Sequence, residues 1–342
     1  MGEIVKLKKN IKDFDSYLSQ LKSLCEDDLL SINSLILDKL DSKIPLIHEI
    51  ASHLILSGGK RIRPLLTSCC FRMCKEKDNN DNNYLGLAAA VEFIHAATLL
   101  HDDVIDESKK RRGEATANQI WGNKASVLVG DFLFSRAFQL MAKAGSKEIL
   151  KLLADTSVKI SEGEVLELTN DNDPTVSENK YFNVIEAKTA SLFSAACQVG
   201  AMVTDTSPDK IEALKSYGLN FGMSYQLIDD AIDYSSNSSR LGKNVGDDFS
   251  QGKVTLPIIL AYLRSNKEEK AFWKKTIQDL NQQKDDFKRA LHIISKYNCI
   301  NDTVERAYHF ASVAKDSLGN FKETEYKNSL INLINSSISR VY

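Results

Sequence analysis

The chain has 342 residues, 43% of them hydrophobic and 26% charged, which is enough to bury a large core. Its formal net charge of −2 excludes a general attraction to nucleic acid, so any anion binding must come from local clusters. Only 16 glycines and 5 prolines interrupt the sequence, and apolar residues recur at helical spacing along it. The sequence predicts an all-α fold, and a single domain over residues 1–342 because no linker is visible.

The six cysteines are scattered, mostly among apolar neighbours. Three fall within residues 69–74, but no second pair of metal ligands accompanies them, so buried free thiols and a reducing cytoplasm are expected. The N-terminus lacks the apolar run of a signal peptide. The longest apolar stretch, residues 85–100, is interrupted by Glu92 and His95 and is shorter than a membrane span, so we expect no transmembrane segment.

In chain order, Leu and Ile at helical spacing over residues 11–40 predict one or two amphipathic helices. Pro45 opens another helix, which should end at Ser57-Gly58-Gly59 because glycine supplies the left-handed conformation of a helix end. The stretch Gly58-Gly59-Lys60-Arg61-Ile62-Arg63-Pro64 then places three cations around a glycine pair, just ahead of a helix N-terminus. This pattern predicts a phosphate cradle. A basic loop that only improves solubility is the alternative, and it would leave the glycines unexplained.

A long predicted helix over residues 84–107 ends in the acidic stretch Asp102-Asp103-Val104-Ile105-Asp106. A second predicted helix begins at Pro208 and ends in Asp229-Asp230-Ala231-Ile232-Asp233. The three carboxylates of each stretch project from one side of a helix and repel one another, so a cation should bind there. Carboxylate oxygens favour Mg²⁺ over zinc. A solvated acidic face is the alternative, but the repeated spacing argues against it.

Further cations follow these acids in the sequence. Arg111 and Arg112 come soon after the first stretch, and a guanidinium pair suits a diphosphate, with surface salt bridges as the modest alternative. Lys188 interrupts an apolar helix predicted over residues 181–203, where periodicity alone leaves open whether it reaches solvent or an anion. Lys243 and Lys253 lie in glycine-flanked loops after the second stretch. Beyond the core, residues 263–342 read as peripheral polar helices.

Taken together, these motifs resemble the trans-type polyprenyl diphosphate synthase family, whose two aspartate-rich motifs look like the two acidic stretches. The likeness extends over about residues 43–262 and follows the family's order. Within the family, the sequence is most similar to bacterial long-chain enzymes that make octaprenyl or decaprenyl diphosphate for quinone side chains. The motifs that carry it are Gly58–Pro64, Leu100–Asp106, Arg111–Gly113, Lys188-Thr189, Gln226–Asp230 and Gly242–Asp247, with Val91–His95 and Trp121–Asp131 for the long-chain likeness.

The resemblance implies an isoprenoid-synthase-type helical bundle around a central cavity, usually a homodimer. It implies condensation of isopentenyl diphosphate with an allylic diphosphate, using several Mg²⁺ ions. Thr189 and the Lys188 carbonyl would stabilise the allylic cation. By the same likeness Mg²⁺ would be held by Asp102, Asp106 and Asp229, with Asp103, Asp230 and Asp233 close behind. The allylic diphosphate would be surrounded by Arg111, Lys188, Gln226, Lys243 and Lys253. Isopentenyl diphosphate would be bound by Gly59, Lys60, Arg63, His95 and Arg112.

Three other functions compete with a long-chain synthase. A terpene cyclase of the same architecture should have a degraded second motif, and a non-catalytic regulatory subunit should have lost acids, whereas both stretches are intact. The third alternative is a shorter-chain farnesyl or geranylgeranyl diphosphate synthase.

Product length is expected to depend on the residues just before the first motif. Short-chain members of the family commonly carry an aromatic residue there, where this chain has Ala97 and Thr98. Helix geometry places Thr98 about 40° from Asp102 and Ala97 about 140° away, so Ala97 rests on the resemblance alone. Small residues at both positions imply an open tunnel and a long product, although ordinary close packing is the alternative.

Overall fold

The computed structural model describes residues 14–75, 82–235 and 246–341. Within these ranges the chain is a bundle of helices, which confirms the predicted all-α class. The helices of the first half are α1 (Phe14–Leu24), α2 (Glu26–Lys39), α3 (Pro45–Leu56), α4 (Ile62–Cys74), α5 (Asn83–Ile105), α6 (Ala117–Trp121), α7 (Asn123–Ala144) and α8 (Lys147–Asn170). Those of the second half are α9 (Glu178–Ile185), α10 (Ser191–Met202), α11 (Pro208–Asp233), α12 (Asp247–Gln251), α13 (Leu256–Arg264), α14 (Lys267–Trp273), α15 (Asp286–Lys296), α16 (Cys299–Ser317) and α17 (Glu325–Ile338).

A short hairpin follows α5, with β1 (Lys110–Arg111) antiparallel to β2 (Glu114–Ala115). Its turn residues Arg112 and Gly113 have φ angles of +55° and +88°. Two successive positive φ angles are typical of a tight hairpin turn, and glycine adopts them without strain. The cations after the first acidic stretch therefore lie on an ordered turn rather than in a loose loop.

Two largely buried helices, α5 and α10, lie at the centre of the bundle. The first packs against α2, α4 and α7, and the second against α4, α8 and α11. At Gly200, α10 approaches α4 so closely that an added Cβ would lie 2.3 Å from the Thr67 carbonyl oxygen. Such a contact would force the helices apart, so glycine is required for this packing.

The ends of the described chain fold back onto this core. Both α16 and α17 pack on α11, and α1 packs on α17. Their apolar side chains share one hydrophobic cluster with those of α4, α10 and α11. The C-terminal helices, which the sequence placed at the periphery, therefore support the helix that carries the second acidic stretch.

Two predicted helices are interrupted in the structure. The helix predicted over residues 181–203 is divided into α9 and α10 by a π-helical segment, Glu186–Ala190, which contains Lys188 and Thr189. Apolar residues at core-type spacing also predict a helix over residues 121–144. In the structure this stretch is divided between the short helix α6 and α7, because Gly122 has a φ of +83° and ends α6. Hydrophobic periodicity is too coarse to reveal either interruption, since both keep the buried face in place.

Two helices, α5 and α7, have the length and apolar composition of a membrane span. The apolar window of α5 is 67% buried inside the protein, as expected for a core helix, and that of α7 is 39% buried. Length and composition alone are weak evidence for a membrane helix.

The six cysteines are free and buried, as the sequence predicted. Burial raises the pKa of Cys25 and Cys74 to about 12 and that of Cys299 to about 11. Because the thiolate is the reactive form, we expect a thiol reagent at pH 8 to leave the native protein nearly unlabelled. All six should react after unfolding in guanidinium. Rapid labelling of the native protein would contradict this prediction.

Candidate active site

The first acidic stretch lies at the C-terminal end of α5, and its three carboxylates have different surroundings. Asp103 is almost completely buried and accepts hydrogen bonds from Arg111, over 3.0 Å from Nε and 2.8 Å from Nη2. Asp106 accepts one from Lys253 Nζ over 2.7 Å. Asp102 Oδ1 is buried and, among the described residues, has no hydrogen-bond partner. Burial also raises the pKa of the Asp102 carboxyl, and Asp106 adds to this effect. An unpartnered buried carboxylate oxygen favours a cation.

The second acidic stretch ends α11 and is similarly divided. Asp229 Oδ1 accepts a hydrogen bond from Arg340 Nη2 over 2.6 Å. Asp230 is buried and accepts from the Tyr181 hydroxyl over 2.6 Å and from Gln226 Nε2 over 2.7 Å. Burial, with a contribution from the nearby Asp248, raises the pKa of Asp230 to about 8.

The last acid of this stretch, Asp233, is also buried. Its Oδ2 accepts a hydrogen bond from the backbone N–H of Asp248 over 3.2 Å. This bond ties the end of α11 to the start of α12. Asp233 therefore anchors the start of α12 to the second acidic stretch.

A pocket of about 140 Å³ lies beside the second stretch and collects residues that are distant in sequence. Its polar wall includes Glu167 and Asp248, and its apolar wall includes Val184 and Ile185. Thr189 Oγ1 lies 3.2 Å from Gln226 Oε1 within it. Since Lys253 lines the pocket and binds Asp106, the first stretch borders the same space. Five of the residues predicted from sequence line the pocket: Lys188, Thr189, Gln226, Asp230 and Lys253.

The π-helical segment directs Lys188 inward, which answers the question that periodicity left open. Its Nζ lies 2.8 Å from Glu164 Oε2 and is also hydrogen-bonded to Glu167. Burial alone would lower the pKa of Lys188, but Glu167, Asp102 and Glu164 outweigh it and raise the pKa. A Cβ at Gly163 would lie 2.8 Å from the backbone N of Lys188, so α8 approaches this segment as closely as only glycine allows.

The predicted phosphate cradle precedes α4. Lys60 Nζ lies 3.8 Å from Asp15 Oδ1, and 4.5 Å from the centre of the Phe14 ring. The Arg63 guanidinium lies 4.1 Å from the centre of the Phe193 ring, and its Nε has no hydrogen-bond partner among the described residues. Burial lowers the pKa of Arg63 to about 10, a value at which the side chain keeps its charge at neutral pH.

Two more of the predicted residues, Arg112 and His95, lie close to this loop. The Arg112 guanidinium lies against Gly59, where an added Cβ would be 3.2 Å from Nη1. Burial, and then the nearby Arg63 and Arg111, lower the pKa of His95 well below its usual range. A neutral imidazole can donate one hydrogen bond and accept another without adding to the repulsion among the arginines.

The residues expected to set product length, Ala97 and Thr98, lie on α5 just before the first acidic stretch. Ala97 is completely buried in the apolar cluster that α5 forms with α7 and α10. Thr98 is half-buried, and its hydroxyl donates to the His95 carbonyl oxygen over 2.9 Å. Lys243, predicted for the allylic site, lies outside the described residues.

Three residues near the acids had no signal in the sequence. Arg340 lies three positions from the end of the sequence, yet its buried guanidinium binds Asp229 and lies 4.6 Å from the centre of the Tyr225 ring. Phe14, in the first helix, lies 5.3 Å from the same guanidinium. Tyr181 binds Asp230. No local motif marks any of them, because each meets the site through tertiary packing alone.

Magnesium was expected between the two acidic stretches. The described residues contain no group of three or more His, Cys, Asp or Glu side chains gathered closely enough to hold a metal ion. Lys253 and Arg340 bind Asp106 and Asp229 instead, while Asp102 retains an unpartnered oxygen. The donor chemistry, carboxylate oxygen throughout, fits a hard divalent cation such as Mg²⁺.

The helical bundle has the all-α isoprenoid synthase fold, which it shares with polyprenyl synthases of known structure. Residues 44–294 match the model of the polyprenyl synthetase family, so the chain belongs to this family and is a prenyltransferase.

Known members are similar over nearly the whole chain. The octaprenyl diphosphate synthase of Haemophilus influenzae is 41% identical over 95% of this chain and 98% of its own length. The crystal structure of a decaprenyl diphosphate synthase from Rhodobacter capsulatus has a TM-score of 0.91 and 40% identity, covering 95% of this chain and 99% of that one. The crystal structure of the polyprenyl synthase from Caulobacter crescentus CB15, complexed with calcium and isoprenyl diphosphate, has a TM-score of 0.91 and 43% identity. It covers 98% of this chain and 100% of that one.

Proposed function

We propose that this enzyme condenses isopentenyl diphosphate with an allylic diphosphate to build a long-chain all-trans polyprenyl diphosphate, from octaprenyl to decaprenyl, for a quinone side chain. The observation that carries the proposal is the pocket in which Lys188 and Lys253 meet the acids of both motifs beside an apolar wall. Cations suit a diphosphate, and an apolar wall shelters a carbocation from water. The similar octaprenyl and decaprenyl diphosphate synthases support the long product.

In this proposal Asp102, Asp106 and Asp229 hold Mg²⁺, and Asp103, Asp230 and Asp233 support them. When bound, the metal supplies positive charge that makes the allylic diphosphate a better leaving group. The carboxylate donors and the unpartnered oxygen of Asp102 support this assignment. The calcium found with the Caulobacter enzyme supports a divalent cation in the family.

The protein side chains would act on the diphosphates directly. Arg111, Lys188, Gln226, Lys243 and Lys253 would bind the allylic diphosphate and stabilise the charge that develops as its C–O bond breaks. The electron pair of that bond leaves with the diphosphate, and an allylic cation remains. The isopentenyl double bond then donates its electron pair to form the new C–C bond.

Loss of a proton from the isopentenyl unit completes the step, and the released diphosphate accepts it. The Thr189 hydroxyl and the Lys188 carbonyl would stabilise the cation in the interval, because both present oxygen dipoles. Thr189 lies in the pocket beside Gln226, which supports this role. The product is one isoprene unit longer and can react again.

The direct test is incubation of the purified protein with Mg²⁺, isopentenyl diphosphate and farnesyl diphosphate, followed by chromatography of the dephosphorylated products. A ladder ending at a long chain supports the proposal. A ladder that stops at geranylgeranyl would indicate a short-chain synthase, and a cyclic product a terpene cyclase. If farnesyl diphosphate gives no product, the assay is repeated with geranyl diphosphate: formation of farnesyl diphosphate would indicate a farnesyl diphosphate synthase, and no product with either substrate would indicate a non-catalytic subunit.

Replacing Lys60 or Arg63 by Gln should raise the KM for isopentenyl diphosphate more than that for the allylic substrate. Each residue would supply a charge-assisted hydrogen bond to the isopentenyl diphosphate, together with Gly59, His95 and Arg112. Losing one such bond weakens binding by about 10- to 100-fold. Steady-state kinetics with each substrate varied in turn measures both constants. Equal increases would show that this loop does not distinguish the two diphosphates.

We also propose a homodimer, a single domain over residues 1–342 and a cytoplasmic location. Exposed apolar side chains on α6 and α7, among them Ile120, Leu128 and Phe138, support a partner surface. The C-terminal helices share a hydrophobic cluster with α11, which supports one domain. Six free, buried thiols are typical of a reducing compartment.

A further inference from the structure

One of the three cations in the loop before α4 has buried protein partners on both arms. Arg61 Nη1 is hydrogen-bonded to Glu92 Oε1, and Nη2 donates to the Ile55 carbonyl oxygen over 2.8 Å. The Arg61 side chain is 17% exposed and that of Glu92 9%. A single guanidinium thus joins the end of α3, the start of α4 and the middle of α5.

The same arginine fixes the backbone of the loop. Arg61 is the residue immediately before α4, and its φ of +53° lies in the left-handed region that non-glycine residues disfavour. Its carbonyl oxygen accepts the hydrogen bond of Leu65 N over 3.1 Å, which begins the helix. Such a conformation persists only where surrounding contacts enforce it. The bonds to Glu92 and Ile55 are contacts of this kind.

The residues on either side of Arg61 are those assigned above to isopentenyl diphosphate. Lys60 precedes it, Arg63 follows two positions later in the first turn of α4, and Gly59 packs against Arg112. Glu92 lies one turn before His95 on the same face of α5. The ion pair between Arg61 and Glu92 therefore connects the loop to the helix that carries the histidine.

Resting on the proposed function, we propose that Arg61 and Glu92 form a positioning pair for isopentenyl diphosphate. They hold Lys60, Arg63 and His95 in register without contacting the substrate. Replacing Glu92 can distinguish the effect of positioning from that of charge, because Glu92 is an anion among arginines. If the positive charge around the site alone determined the affinity for isopentenyl diphosphate, removing the Glu92 charge would increase that affinity. If the positions of Lys60, Arg63 and His95 determine the affinity, the same change decreases it.

The test is calorimetric titration of the full chain with isopentenyl diphosphate in EDTA, which excludes metal-dependent sites. In Arg61→Gln we expect the dissociation constant to rise about tenfold, because small displacements of binding groups are penalised strongly. In kinetic assays the KM for isopentenyl diphosphate should rise likewise, with the KM for farnesyl diphosphate within about twofold of wild type. Arg61→Lys should bind with intermediate affinity, since one ammonium cannot reach both partners, and it serves if Arg61→Gln does not fold.

The matched control is Arg72→Gln, in the last turn of the α4 helix that Arg61 precedes. Arg72 Nε donates to the buried carboxylate of Asp28 over 3.0 Å, well away from the loop. Its loss should lower the melting temperature comparably and leave the dissociation constant unchanged. Glu92→Gln should bind more weakly than wild type, and adding it to Arg61→Gln should cause little further loss because the pair acts as a unit.

Two results would overturn the inference while leaving the proposed function intact. One is an unchanged dissociation constant in Arg61→Gln with a lowered melting temperature, which would make the pair purely structural. The other is tighter binding in Glu92→Gln. Failure of the wild-type protein to condense its substrates would overturn the proposed function alone, since the binding comparison remains valid. Failure of the wild type to bind isopentenyl diphosphate would overturn both.

Discussion

Asp102→Asn should lower kcat by about 10³-fold, as expected when a group that stabilises transition-state charge is removed. The stability of the folded protein should not decrease. Asp102 Oδ1 is buried without a hydrogen-bond partner among the described residues, and burial raises the pKa of its carboxyl. An acid whose pKa is raised on folding destabilises the native state when it is ionised. The neutral amide relieves that penalty, so in EDTA at neutral pH the melting temperature should be unchanged or higher.

The sign of this effect also predicts a pH dependence. Ionised Asp102 destabilises the fold at any pH above its raised folded-state value, and the effect disappears as pH falls below the usual value of 3.8, where both states are protonated. The stability difference between wild type and Asp102→Asn should therefore shrink on acidification. Thermal melts in EDTA at several pH values measure it.

Asp103→Asn is the informative control for this prediction. Asp103 accepts bidentate hydrogen bonds from Arg111 through both carboxylate oxygens. The amide that replaces this carboxylate has only one acceptor oxygen, so the substitution leaves the Arg111 guanidinium incompletely paired. With Arg111 partly exposed, a loss of about 1–3 kcal/mol is expected. Neighbouring aspartates should thus shift stability in opposite directions. Near-normal condensation by Asp102→Asn at saturating Mg²⁺ would refute the metal assignment.

The sequence predicted the helices and the acidic motifs because both are local patterns. Apolar periodicity marks a buried helix face, and two acidic runs with one spacing are visible by inspection. The glycines and cations also predicted a cation cradle at residues 58–64, but only the family resemblance, and no physical feature of the sequence, separated Lys60 and Arg63 from Arg61. That difference depends on Glu92, which is 31 residues away in sequence and reaches the loop only in the folded chain.

Contacts between residues far apart in the sequence could not be predicted from local patterns. Arg340 binds Asp229 across 111 residues of sequence, in a C-terminal region that had looked peripheral. The π-helical segment at Lys188 is likewise not visible in the helical periodicity, since it spans only five residues.

Product length should be controlled from the helix face below Asp102. Thr98 lies one turn before Asp102 on α5, and side chains four residues apart share a face. Thr98 is half-buried, whereas Ala97 is completely enclosed by the apolar cluster. An aromatic at position 98 therefore has space to project toward the path of the growing chain. At position 97 it must displace packed neighbours, which costs about 1–3 kcal/mol of stability.

We accordingly expect Thr98→Phe to shorten the product toward farnesyl or geranylgeranyl diphosphate, because the ring would obstruct the path one turn beyond the reacting carbon. The first condensation should persist, since Asp102 and the diphosphate ligands are untouched. Ala97→Tyr should shorten the product with a lowered melting temperature. Thr98→Val, which keeps the shape but gives up the hydrogen bond to the His95 carbonyl, should retain the long product. Chromatography of dephosphorylated products distinguishes these outcomes, and an unchanged ladder in both aromatic variants would place the end of the tunnel on another helix.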